Sequence, residues 1–138
     1  MRRGASGLLA IVLCSTAASP SLAMAPASEL SERLFELELS RYMATKCRKL
    51  DRSGKASSAY GSALRNYSSV VADAKKTGRA AFVAAARRRL NTASGEVDTS
   101  CIVGPQETPR MAYASLLSDF GHATNAVRHM LSAQARSN

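Results

Sequence analysis

Four stretches of this chain carry apolar residues at three- and four-residue spacing, and this period constrains the fold more than any other feature of the sequence. Leu30, Leu34 and Leu37 form such a stripe near the start, and Leu116, Leu117 and Phe120 begin another near the end. The spacing is that of a helix with one buried face. No strand-like alternation of useful length and no internal repeat accompanies it. The sequence therefore predicts an all-α fold.

Capping residues and helix breakers set the expected ends of these helices. Ser28 suits a helix start, Gly78 suits the turn after a helix, and Thr108 followed by Pro109 suits a cap and a first helical position. The predicted helices cover roughly 27–50, 55–76, 79–93 and 109–134. Because the connections are short, we expect a four-helix bundle in which consecutive helices run up, down, up and down.

The first residues have the pattern of an export signal. Arg2 and Arg3 precede the apolar run Gly7–Leu13, and small residues follow up to Ala23. The apolar run is too short to span a bilayer, so no membrane anchor is expected after processing. We expect residues 1–23 to be a signal peptide cut after Ala23 and residues 24–138 to form one helical domain. The protein would then be periplasmic in a Gram-negative bacterium, or secreted.

Removal of the signal would leave two of the three cysteines, Cys47 and Cys101, because Cys14 lies within it. An even number of cysteines in an oxidising compartment indicates a disulfide. In the predicted topology, the end of the first helix and the loop after the third helix lie at the same pole of the bundle. The sequence therefore predicts a Cys47–Cys101 disulfide, and the agreement between this pairing and the topology is a check on the helix order that the period alone does not supply.

The distribution of charge is the sequence feature with most functional content, since the chain has a formal net charge of +9. The predicted topology gathers eight cations at the pole that holds the cysteines. This candidate patch for an anionic partner consists of Lys46, Arg48, Lys49, Arg52, Lys55, Arg87, Arg88 and Arg89. A plainer interpretation is that these cations complement the negative ends of two helices.

The partners that would fit such a patch outside the cytoplasm are another envelope protein, an anionic envelope polymer or lipid headgroups. Nucleic acid is not expected, because the interleaved aromatic residues that stack on bases are missing. We therefore predict an exported helical binding protein of the cell envelope, with its oligomeric state left open. A bundle that carries a small ligand or non-covalent cofactor is the alternative, and an enzyme is a third.

Catalytic and cofactor signatures are weak in this sequence. His122 follows Asp119 by three residues and could form a base with its orienting carboxylate, but no nucleophile accompanies the pair. A di-iron site would need more Glu-x-x-His motifs than the chain has. A haem held by a histidine together with Met43 or Met111 would require these methionines to lie inside the bundle. We expect no cofactor, no metal and no enzymatic activity.

Overall fold

The residues described by a computed structural model form four α-helices and one short 3-10 turn. The structure describes residues 7–52, 56–93 and 97–137, with side chains described for 27–52, 58–93 and 97–136. The helices are α1 Gly7–Lys46, α2 Ala56–Lys76, α3 Ala80–Ala93 and α4 Pro109–Ser137, and the 3-10 turn is Arg48–Leu50. The described residues contain no strand. The predicted all-α class is confirmed.

The ends of three helices match the predicted ends closely, and their caps explain why. Gly78 has a φ of 82°, and the N–H of Arg79 donates to the carbonyl of Ala74 at 2.9 Å, which closes α2 in a Schellman turn. At the start of α4, the Thr108 hydroxyl accepts from the N–H of Met111 at 3.2 Å. These caps are short-range features, so the sequence is enough to locate them.

The predicted bounds of the first helix are wrong at both ends. α1 begins at Gly7, twenty residues before the predicted start, and ends at Lys46 rather than near Leu50. The segment before Ala27 is rich in alanine, the best helix former, so the backbone continues as helix through Pro20 and Pro26. At the other end, the chain tightens into the 3-10 turn Arg48–Leu50 directly after Cys47.

Contacts between helix ends confirm the up-down-up-down order. The Tyr113 hydroxyl at the start of α4 donates to the carbonyl of Ala44 near the end of α1, at 2.8 Å. Arg79 at the start of α3 donates to Gln134 near the end of α4, at 2.8 Å. Each of α1 and α2 packs against both α3 and α4. We call the end formed by residues 44–52, 97–113 and the start of α2 the disulfide end.

The main core cluster among the described side chains draws on all four helices. Its large members are Leu30, Leu34, Leu37, Tyr60, Tyr67, Val70, Val71, Val83, Phe120, Val127 and Leu131. The Cα atoms of Cys47 and Cys101 are 5.6 Å apart, and the two sulfur atoms are bonded. The predicted disulfide is confirmed, and it ties the loop after α3 to the end of α1. No helix among the described residues is long and apolar enough to cross a membrane.

Candidate functional site

An open cavity of about 700 Å³ lies at the disulfide end, between the 3-10 turn and the start of α4. Three of the side chains around it are cations. The cavity is lined by Lys49, Leu50, Asp51, Arg52, Thr108, Pro109 and Arg110. We call Lys49, Arg52 and Arg110 the basic triad. Two triad members come from the predicted patch, whereas Arg110 was not predicted to belong to it.

Three local features place the basic triad around one cavity. The 3-10 turn directs the chain past the start of α4, with the N–H of Leu50 donating to the carbonyl of Cys47 at 3.0 Å. The disulfide holds Cys47 beside the loop that leads into α4. The hydrogen bond from Tyr113 to Ala44 then fixes the first turn of α4 against the end of α1. Arg110 therefore lies at the same cavity as Lys49 and Arg52 only in the folded chain.

The basic triad is exposed, and its charges have little internal compensation. None of the three side chains forms an ion pair within the described part of the chain. Asp51 supplies one carboxylate to the same cavity and has an interaction of its own. Cations gathered around a concave surface raise the local positive potential. The cavity therefore favours an anionic group.

Two neighbouring cations of the predicted patch have partners within the chain. The Arg48 guanidinium lies 4.4 Å from the centroid of the Tyr60 ring, a cation–π contact. The Lys46 ammonium donates to the carbonyl of Thr99 at 2.8 Å. Both residues lie at the disulfide end with the basic triad, but their side chains serve to fix the end of α1 to α2 and to the loop after α3.

The remaining members of the predicted patch are placed differently. Arg89 donates to Glu32 at 2.8 Å, and Arg87 lies 3.5 Å from Glu38, so both pair with carboxylates of α1. Glu38 and Glu32 lie about 12 and 21 Å before Lys46 along the helix axis, at 1.5 Å per residue. The structure therefore does not bring Arg87 and Arg89 together with the basic triad. Lys55 lies outside the described residues, and the Arg88 side chain is exposed.

Two large apolar side chains are exposed at the disulfide end. Ile102 has 65% of its surface exposed and Met111 has 55%, and they are the only large apolar residues exposed to this degree among those described. Ile102 follows Cys101, and Met111 follows Arg110 in the first turn of α4. Met111 therefore lies at the surface and not inside the bundle, where a methionine ligand to a haem would have to lie.

A buried ionic network at the middle of the bundle was not predicted. Glu38 is fully buried, and its carboxylate accepts from the Tyr67 hydroxyl at 2.5 Å and from Arg41 at 3.2 Å. Arg87 donates to the Tyr67 hydroxyl at 3.2 Å, and this hydrogen bond raises the pKa of Arg87. Burial and the hydrogen bond to Glu38 raise the pKa of Tyr67. The network joins α1, α2 and α3.

The sequence held a signal for this network. Glu38 follows Leu34 by four residues, so the helical period puts it on the same buried stripe. A carboxylate on that stripe must be paired if it is buried. Which side chains would pair with it depends on how α2 and α3 pack, and the period carries no information about that.

His122 and Asp119 lie along a second open groove, between α1 and α4, of about 630 Å³. Carboxylates predominate among its charged groups, although Arg33 pairs with Glu36 at 3.1 Å. The groove is lined by Glu29, Arg33, Glu36, Ser40, Asp119, His122, Ala123, Ala126 and Met130. Within the described residues, no group of three or more potential ligands is arranged to hold a metal ion.

No protein-family model matches this chain, and no curated protein or solved structure matches it significantly. The geometry of the site is therefore the basis for any functional conclusion.

Proposed function

We propose that this protein is exported and binds an anionic surface of the cell envelope through its disulfide end. The observation that carries the proposal is the basic triad, in which three exposed cations line one cavity without ion pairs among the described residues. The triad replaces the larger set of eight cations as the proposed contact. The export signal and the disulfide support a location outside the cytoplasm.

The uneven pairing of cations favours the basic triad over the arginines along the body of the bundle. Arg33, Arg41, Arg87 and Arg89 all lie within 4.0 Å of a carboxylate of α1. Their charge is used within the molecule, whereas the charge of the basic triad faces solvent. The plainer interpretation, in which cations only complement helix ends, does not apply to Arg110. This residue lies in the first turn of α4, where the helix dipole disfavours a cation.

Charge reversal of the triad tests the proposal. The variant Lys49→Glu, Arg52→Glu, Arg110→Glu should lose at least about tenfold in affinity for immobilised dextran sulfate, because exposed charges dominate such binding. Binding of the native protein should also weaken as salt rises, since the Debye length falls to about 8 Å at physiological ionic strength.

The matched control reverses three exposed cations at the opposite end of the bundle. Lys75→Glu, Lys76→Glu, Arg136→Glu changes the net charge by the same amount at the last turns of α2 and α4. If both variants lose affinity equally, net charge alone explains the binding and the proposed site is wrong. Reversal at Arg87 is unsuitable as a test, because it would place a second carboxylate beside the buried Glu38.

A further inference from the structure

We propose that the anionic surface is a phospholipid bilayer and that Ile102 and Met111 enter its interface while the basic triad contacts the headgroups. This inference depends on the proposed function and specifies the partner of the same site. It would make the protein a peripheral membrane protein that docks by its disulfide end.

The first step is that both exposed apolar residues lie at the end that carries the basic triad. Ile102 belongs to the loop after the disulfide, and Met111 belongs to the first turn of α4. The opposite end of the bundle, at the α2–α3 turn and the last turns of α4, exposes no large apolar side chain among the described residues. The apolar and cationic features therefore coincide on one end only.

The second step is that a bilayer interface binds a surface that combines exposed cations with exposed apolar side chains. Cations attract anionic headgroups, and neighbouring apolar side chains gain by leaving water for the acyl boundary. A soluble acidic polymer can pair with the cations, but it does not remove the side chains of Ile102 and Met111 from water. The exposed apolar residues therefore favour lipid over polymer.

The third step separates a bilayer from an acidic protein. Interface side chains that contribute strongly to protein–protein binding sit in fitted pockets near the centre of a contact area. Ile102 and Met111 project from two different segments, and neither lines one of the described cavities. A fluid bilayer accepts separate side chains without shape complementarity, so it fits this arrangement better.

Local contacts hold Ile102 and Met111 in position at the surface. Met111 donates its N–H to the Thr108 hydroxyl, which fixes the first turn of α4. The residues that follow it, Ala112 and Tyr113, are buried and attach that turn to the bundle. Ile102 is next to the disulfide, and its N–H donates to the carbonyl of Ser100 at 3.1 Å.

Fluorescence gives a direct test, because the chain contains no tryptophan. Ile102→Trp and Met111→Trp each introduce a single reporter at the proposed contact, and Ala81→Trp introduces one at an exposed position of α3 at the opposite end. With vesicles of phosphatidylcholine and phosphatidylglycerol, the first two reporters should shift to shorter wavelength and be quenched by brominated lipid. The third should do neither.

Polar substitution tests whether the apolar contact contributes to affinity. Ile102→Ser combined with Met111→Gln should weaken vesicle binding by about tenfold for each side chain. The same variant should bind dextran sulfate as the native protein does. Circular dichroism and thermal unfolding show whether each variant has kept the fold.

The outcomes separate the two proposals. If charge reversal weakens vesicle binding and the polar variant does not, the bilayer inference is wrong while the basic triad stands. Binding to dextran sulfate without binding to vesicles also overturns the bilayer inference. Capture of an acidic envelope protein without binding to vesicles does the same. In both cases the basic triad remains supported. If the polar variant loses binding to both vesicles and dextran sulfate, the proposed apolar contact is wrong. If charge reversal changes neither kind of binding, the proposed function itself is wrong.

Discussion

At the scale of single residues, the ion pairs of the arginines determine which cations are available to bind a partner at the surface. Arg87 was expected at a basic surface patch, but its side chain instead supports the buried Glu38 together with Tyr67 and Arg41. A buried carboxylate that lost these partners would cost several kcal/mol. The charge of Arg87 therefore serves the buried network, so this residue does not support a proposal that the surface binds an anionic partner.

Tyr113 provides a test of the buried contacts at the disulfide end. Burial raises the pKa of Tyr113 from 10.0 to about 12, and its hydroxyl donates to the carbonyl of Ala44. Since the folded pKa lies above the unfolded one, the stabilisation is fully present below pH 10 and is lost as the pH rises through 12. The loss should reach about 1 kcal/mol at about pH 11, at 1.36 kcal/mol per pKa unit.

Urea unfolding of Tyr113→Phe between about pH 8 and pH 11 measures this effect. The variant should start about 1 kcal/mol less stable, because it lacks the hydrogen bond. Its free energy of unfolding should then fall less steeply with pH than that of the native protein. Tyr42→Phe is the control, since the Tyr42 hydroxyl makes no hydrogen bond among the described residues. Parallel pH curves for Tyr113→Phe and the native protein would contradict the assignment.

At the scale of helices, local sequence features account for most of the fold. The helical period and the caps located three helices to within a few residues, and the cysteines supported the order of the helices. The start of α1 was missed because the signal pattern excludes residues 1–23 from the predicted domain and Ser28 suits a helix start, whereas the helix begins at Gly7. The basic triad was found only in part, because tertiary packing that no local pattern encodes places Arg110 at the same cavity as Lys49.

The disulfide should contribute strongly to the stability of this helix arrangement. It joins residues separated by 54 positions, and closing a loop of that length contributes about 4 kcal/mol in the chain-entropy model. Urea unfolding of the Cys47→Ala, Cys101→Ala protein should show a loss of that order relative to the oxidised native chain. The reduced native protein is the matched control and should behave like the double variant. Equal stability of the oxidised and reduced forms would contradict this expectation.

At the scale of the whole molecule, the disulfide end and the body of the bundle differ in how their charges are used. At the disulfide end, the basic triad faces solvent beside exposed apolar residues. Along the body of the bundle, arginines pair with the carboxylates of α1. This asymmetry supports the proposal that the molecule docks by its disulfide end, where the disulfide holds the loop after α3 to the end of α1.

Removal of the proposed signal should leave this molecule intact. Among the side chains that the structure describes, the first core residue of α1 is Leu30, and the carboxylates that pair with α3 follow it. The signal pattern ends at Ala23, so we expect protein exported by its native host to begin at Met24, or within two or three residues of it, by mass spectrometry.

A chain that begins at Met24 keeps every core side chain that the structure describes. We therefore expect it to unfold in urea within about 0.5 kcal/mol of the full chain, a loss no larger than that of an ordinary surface change. A chain that begins at Leu34 is the control and should be much less stable, since it lacks Leu30 and the Glu32–Arg89 pair. Retention of Met1 in the exported protein would overturn the proposed processing, and a large loss of stability on starting at Met24 would show that the preceding segment belongs to the folded domain.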